Sequence, residues 1–185
     1  MITFETVGGV NTDATLNLAL DTARARGLDL VLASSTGETA KKLVALAKEK
    51  NFPNKLVVVR HVFGMEEPGQ NDMPEETANF LRESGVTLVT AAHALSGAER
   101  GISKKFGGVS PVEIMAATLR MFGQGVKVCT EVAIMALDCG AIAYGKPVVA
   151  VGGSAVGSDA ACIITPNYSA NVLATHIHEI LCKPY

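Results

Sequence analysis

The stretch Ala33-Ser34-Ser35-Thr36-Gly37-Glu38-Thr39-Ala40 sets four hydroxyls and a glycine within six residues, between an apolar run and a helical pattern. The first backbone N–H groups of a helix have no partner inside it. Carrying about half a positive charge, that end attracts a phosphate without help from Lys or Arg. The structural alternative is a plain cap, because Ser35 and Glu38 stand at capping-box spacing. A cap uses one hydroxyl and this turn offers four, which favours phosphate. The turn is not a Walker A loop, since Gly-Lys-Ser/Thr is missing, and no GxGxxG follows a strand pattern.

Two further loops and one helix hold candidate groups. His93 to Arg100 follows an apolar run and includes Ser96, Gly97 and Glu99. Ser96 with Glu99, and Ser110-Pro111 with Glu113, both read as capping boxes. The intervening Phe106-Gly107-Gly108 turn suggests close backbone approach to something. His93 is either a loop histidine or a proton carrier, and Arg100 is either a solvated charge or an anion contact. Gly152-Gly153-Ser154-Ala155-Val156-Gly157-Ser158 reads as a pliable loop able to cover a ligand, or as a long turn. Lys127, Glu131 and Asp138 share one face of an otherwise apolar helix. Glu131 is the candidate pocket carboxylate there, unless it only pairs with Lys127. No Ser/His/Asp or Cys/His order stands out, no carboxylate cluster suggests a metal, and no metal is expected.

The elements that must position these groups alternate along the chain. Strands are expected at Ile2 to Glu5, Leu28 to Ala33, Lys55 to Val59, Val86 to Thr90, Pro147 to Val151 and Ala161 to Thr165. Helices are expected at about 12–26, 38–50, 74–83, 96–105, 111–122 and 125–140, with a closing helix from Leu173 to Leu181. Near-continuous apolar strands are covered on both faces. The chain therefore reads as α/β, one domain over residues 1–185, with three layers: a mainly parallel sheet and helices on both faces.

Composition narrows the partners. Net charge is −2 and only 5% of residues are aromatic, with no Trp, so no footprint for nucleic acid appears. No run approaches 18 apolar residues, and the N-terminus lacks a signal-peptide pattern, so a cytoplasmic protein without a membrane partner is expected. The four cysteines form no CxxC pair. Cys129, Cys139 and Cys162 lie in apolar runs and are expected to be buried, reduced hydrophobes. Cys182 has His178 at helical ligand spacing, but two ligands do not make a zinc site. On a helix, His176 and His178 would point to different sides.

Gly27 to Leu43 resembles the C-terminal domain of pyruvate kinase, where a Thr-Lys-Ser-Gly-Arg-Ser-Ala type loop holds a phosphate of the sugar bisphosphate activator. Ser34, Thr36, Gly37 and Thr39 match that loop, while Ser35 and Glu38 stand at its two basic positions. The whole chain resembles a stand-alone microbial family with the pyruvate kinase C-terminal-domain-like fold. The motifs that carry this are Ala33 to Thr39, Ala92 to Gly97, Arg100 to Ser103, Phe106 to Val109, Lys127 to Cys129 with Glu131, and Val149 to Gly153. The resemblance implies FMN as a ligand and a homo-oligomer as the assembly. It also implies that the chain is not a pyruvate kinase, whose chemistry resides in a separate barrel. Three functions stand as expectations: a binding module for a phosphorylated small molecule, an enzyme using Glu131 or His93 for proton transfer, or a regulatory subunit.

Overall fold

Valine and leucine fill three segments almost without interruption, and a computed structural model describing Met1–Tyr185 makes each an inner strand. These are β2 (Asp29–Ala33), β3 (Leu56–Arg60) and β5 (Val148–Gly152). They are joined by β1 (Ile2–Phe4), β4 (Thr87–Thr90), β6 (Ala160–Thr165) and β7 (His176–Pro184). The seven strands form one sheet in the order β1-β7-β6-β5-β2-β3-β4. Four of the neighbouring pairs are parallel; β5–β6 and β6–β7 are antiparallel.

Alternation along the strands divides the core in two. Leu30, Leu32, Val58, Val149 and Val151 face one layer, made by α1 (Thr12–Arg26), α2 (Glu38–Glu49) and α3 (Glu75–Glu83). Val31, Val57, Val59, Val148 and Ala150 face the other, where α6 (Gln124–Asp138) lies. Two shorter helices, α4 (Ala98–Phe106) and α5 (Pro111–Arg120), precede α6, and α5 packs against it. The fold is thus α/β, a mixed and mostly parallel sheet with helices on both faces. No helix is long and apolar enough to cross a membrane.

The C-terminal segment departs from the expected closing helix. Ser169–Ala174 is a 3-10 turn, and His176–Pro184 runs on as strand β7. The apolar β6 would otherwise end the sheet with unpaired backbone groups, and β7 satisfies them by lying between β6 and β1. The histidines change places accordingly. On a strand, positions two apart share a face, and the His176 and His178 rings stack with centroids 6.3 Å apart. His178 Nε2 lies 2.8 Å from Thr165 Oγ1.

Cys129, Cys162 and Cys182 are buried, but Cys139 is exposed because it sits just past the last turn of α6, where the helix leaves the core. Two of the expected capping boxes are also absent. Gly37 caps α2 and Gly97 caps α4, neither through a side chain. The third is present, with Ser110 and Glu113 bonded reciprocally at the start of α5.

Candidate functional site

From β2 the chain steps outward through β3 to β4, then returns across the sheet to β5 on the other side of β2. Loops leaving β2 and β5 therefore part in opposite directions, which opens a crevice at the carboxyl ends of the strands. α2 and α6 both begin at that end. A cleft of about 470 Å³ lies there, lined by the loops after β2, β3, β4 and β5 and by the first turns of α6.

The β2–α2 turn supplies Ser35, Thr36 and Thr39, together with Ser34 at its base. Ser34 is 7% exposed, and its Oγ accepts a hydrogen bond from the Ala40 amide at 3.3 Å. It satisfies one amide of the first turn, from three residues before the N-cap Gly37. The other three hydroxyls are free of protein partners, and so are the five backbone amides from Ser35 to Thr39. Gly37 does not line the cleft. It takes φ +93°, which aims the turn, and a Cβ there would stand 2.4 Å from Thr77 Cγ2. Three hydroxyls on the cleft wall and a run of open amides thus stand at a helix N-terminus, the chemistry of an oxyanion-binding turn.

Across from this turn, Lys127 and Glu131 project from α6 and pair with each other while buried. Glu131 Oε1 also accepts the Leu95 amide at 2.9 Å and faces Ser96 Oγ at 3.4 Å. Its carboxylate thus holds the β4–α4 loop in place. His93 Nε2 receives the Val62 amide at 3.4 Å, and its Nδ1 lies 3.5 Å from Ser96 Oγ. Burial holds the His93 imidazole below its ordinary range; the Glu131 carboxylate opposes this, and His61 and Lys127 reinforce it. Both acid–base candidates from the sequence line the cleft, yet both are engaged internally.

The remaining expected residues separate into two groups. Arg100 and Gly153 line the cleft, and Arg100 also borders a smaller adjoining pocket with Arg120 and Glu113. Gly97, Phe106, Gly107, Gly108 and Gly152 do not line it. Gly152 packs the end of β5 onto α6, where an added Cβ would stand 2.6 Å from the Gly125 carbonyl. Gly107 and Gly108 meet no protein atom closely, and their φ values of +81° and +89° favour glycine in the α4–α5 turn. Phe106 is 76% exposed beside that turn. Asp138 is exposed at the far end of α6 and accepts the Ser169 amide.

Several lining residues were not singled out from the sequence. Arg60 and His61 follow the three valines of β3, and Arg120 and Gln124 flank the start of α6. Their signal was available in the position of Arg60 and His61 at the end of a buried parallel strand, where ligand contacts gather. The arginines of the cleft differ from its lysine, Lys127, which is paired with Glu131. Arg26 and Arg82 are paired with carboxylates, whereas Arg60, Arg100 and Arg120 have no such partner. Arg60 Nε donates to Thr90 Oγ1 at 2.6 Å, but its Nη1 is buried with no acceptor. The cleft thus gathers three guanidinium groups and two helix N-termini, against the carboxylates of Glu38 and Glu131. No family model matches the chain.

Proposed function

We propose that the cleft binds a phosphorylated small molecule, with the phosphate on the Ser35–Thr39 turn and the remainder between the β4, β5 and α6 walls. The carrying observation is the set of five unpartnered amides and three free hydroxyls at the N-terminus of α2. Arg60, Arg100 and Arg120 supply positive charge and form no salt bridge with a carboxylate. The volume falls within the range of small-molecule sites. The resemblance to the pyruvate kinase C-terminal-domain-like family makes FMN the first compound to test, and it argues against pyruvate kinase activity.

The test uses the purified chain, FMN and inorganic phosphate in calorimetry, with native mass spectrometry and an absorbance spectrum for ligand carried from expression. A Thr36→Ala/Thr39→Ala variant loses two hydrogen bonds to a charged group, each worth about 1.5–3 kcal/mol. Affinity should fall at least tenfold for each bond lost. Equal affinity of variant and wild type for both compounds overturns the reading.

A second reading concerns assembly. Ile102, Phe106, Ile114 and Met121 expose large apolar side chains on the α4–α5 hairpin, and α4 buries no residue of its own. Four large apolar side chains exposed on one short hairpin favour a homo-oligomer built through it. Sedimentation at micromolar concentration checks it, and a monomer unaffected by concentration counts against it.

A further inference from the structure

One imidazole in the cleft is neither buried nor engaged on both nitrogens. His61 is the first residue after β3, and the loop from Gly64 to Met73 folds back to reach it. Gly64 donates its amide to the Gln70 carbonyl at 2.7 Å, and Asn71 Nδ2 donates to the His61 carbonyl at 3.1 Å. Asn71 Oδ1 accepts the Met73 amide. These bonds bring Asp72 against the ring, where Oδ2 stands 2.5 Å from His61 Nδ1. The Asp72 side chain is 11% exposed and that of His61 32%, so the carboxylate is held while the ring reaches the cleft wall.

A carboxylate accepting from Nδ1 fixes the neutral ring in one tautomer and leaves the Nε2 lone pair outward. Nε2 has no partner in the protein, in contrast to both nitrogens of His93, whose ring centroid lies 5.5 Å away. Glu131, the other acid–base candidate of the cleft, is committed to Lys127 and Leu95. An oriented imidazole with an open nitrogen is the arrangement that general base catalysis requires.

We propose that His61 is the proton-accepting group that touches the bound ligand through Nε2, and that Asp72 is its positioning residue. The inference rests on the phosphate reading and deepens it. The ligand is a phosphorylated compound that also presents an acidic O–H or N–H to the β3 end of the cleft. When the proton moves, the O–H or N–H bond of the ligand breaks and the Nε2–H bond forms. The Nδ1 proton stays shared with Asp72, whose charge balances the imidazolium. The Nε2 proton then returns to the product or to water.

The experiment uses the whole chain labelled with 15N at histidine, with His61→Gln and His93→Gln variants for assignment. Diethyl pyrocarbonate acylates the free imidazole nitrogen, and mass spectrometry locates the adduct among the four histidines. The His61 ring should appear as the Nδ1–H tautomer, and it should be the fastest to acylate. Saturating FMN should slow acylation at His61 by about tenfold or more while leaving His176 and His178 unchanged. Asp72→Asn should shift the tautomer and slow acylation by about tenfold, as loss of a carboxylate orienting an imidazole does elsewhere.

An Nε2–H tautomer in the wild type overturns the proposal. So does unchanged reactivity at His61 under FMN that Thr36→Ala/Thr39→Ala releases. If neither FMN nor inorganic phosphate binds, the phosphate reading fails and the ligand contact with it. The tautomer and the Asp72→Asn rate then decide the positioning claim on their own.

Discussion

Two helices wall the same cleft from opposite situations. α6 buries twelve of its fifteen residues and offers Lys127 and Glu131 from inside the core. α4 buries none and offers Arg100 from the surface. The difference teaches where the cleft is rigid and where it is free to respond. On α6, charge is fixed by desolvation and mutual pairing, so disturbing it costs stability. On α4, charge is solvated and without a partner, so it is available to a ligand and costs little to change.

The sharpest break of that contrast is Glu131→Ala. It leaves the Lys127 ammonium buried without its carboxylate and the Leu95 amide without its acceptor, and should cost about 3–5 kcal/mol in chemical denaturation. A loss below about 1 kcal/mol would mean that α6 is not the fixed wall. Next is Gly152→Ala, which pushes a methyl group to within 2.6 Å of the Gly125 carbonyl and 3.0 Å of the Cys129 amide. Overpacking there should cost about 1–3 kcal/mol.

A gentler effect comes from His93, where the β4–α4 loop meets α6. Burial keeps its folded-state pKa below the ordinary 6.5, so on acidification the unfolded chain takes up the proton first. Stability should hold above pH 6.5 and decline as the pH falls below it. His93→Gln should flatten that decline in thermal melts recorded across the range. The smallest effect belongs to α4: Phe106→Ser, at a side chain 76% exposed, should change the stability of the monomer by no more than about 0.5 kcal/mol.

Most of this frame was legible because buried parallel strands announce themselves. The valine runs at Val57–Val59 and Val148–Val151 admit few other readings, and alternation with amphipathic helices gives a mostly parallel sheet. β7 was not legible. Its sequence His176-Ile-His-Glu-Ile carries no strong period, and only the need of β6 for a partner selects the strand. The β2–α2 turn was visible from its hydroxyls, although which one engages the helix was not: Ser34 is turned inward at the end of the strand and reaches the Ala40 amide. His61 and Asp72 were illegible as a pair. Eleven positions separate them, and the loop that joins them is set by backbone bonds together with the Asn71 side chain, a combination that composition does not encode. At Phe106-Gly107-Gly108 the structure shows a reason the sequence did not name, since both glycines take positive φ in the α4–α5 turn.

The strand lengths have a consequence for how this chain behaves in company. β1 and β4, the two rims of the sheet, are its shortest strands at three and four residues. Each rim offers few open backbone groups to a passing chain, so templated growth has little to grip. The apolar interior, which would aggregate if a long flat margin exposed it, is screened by brevity at both sides. Lengthening either margin by a few β-branched residues would remove that protection.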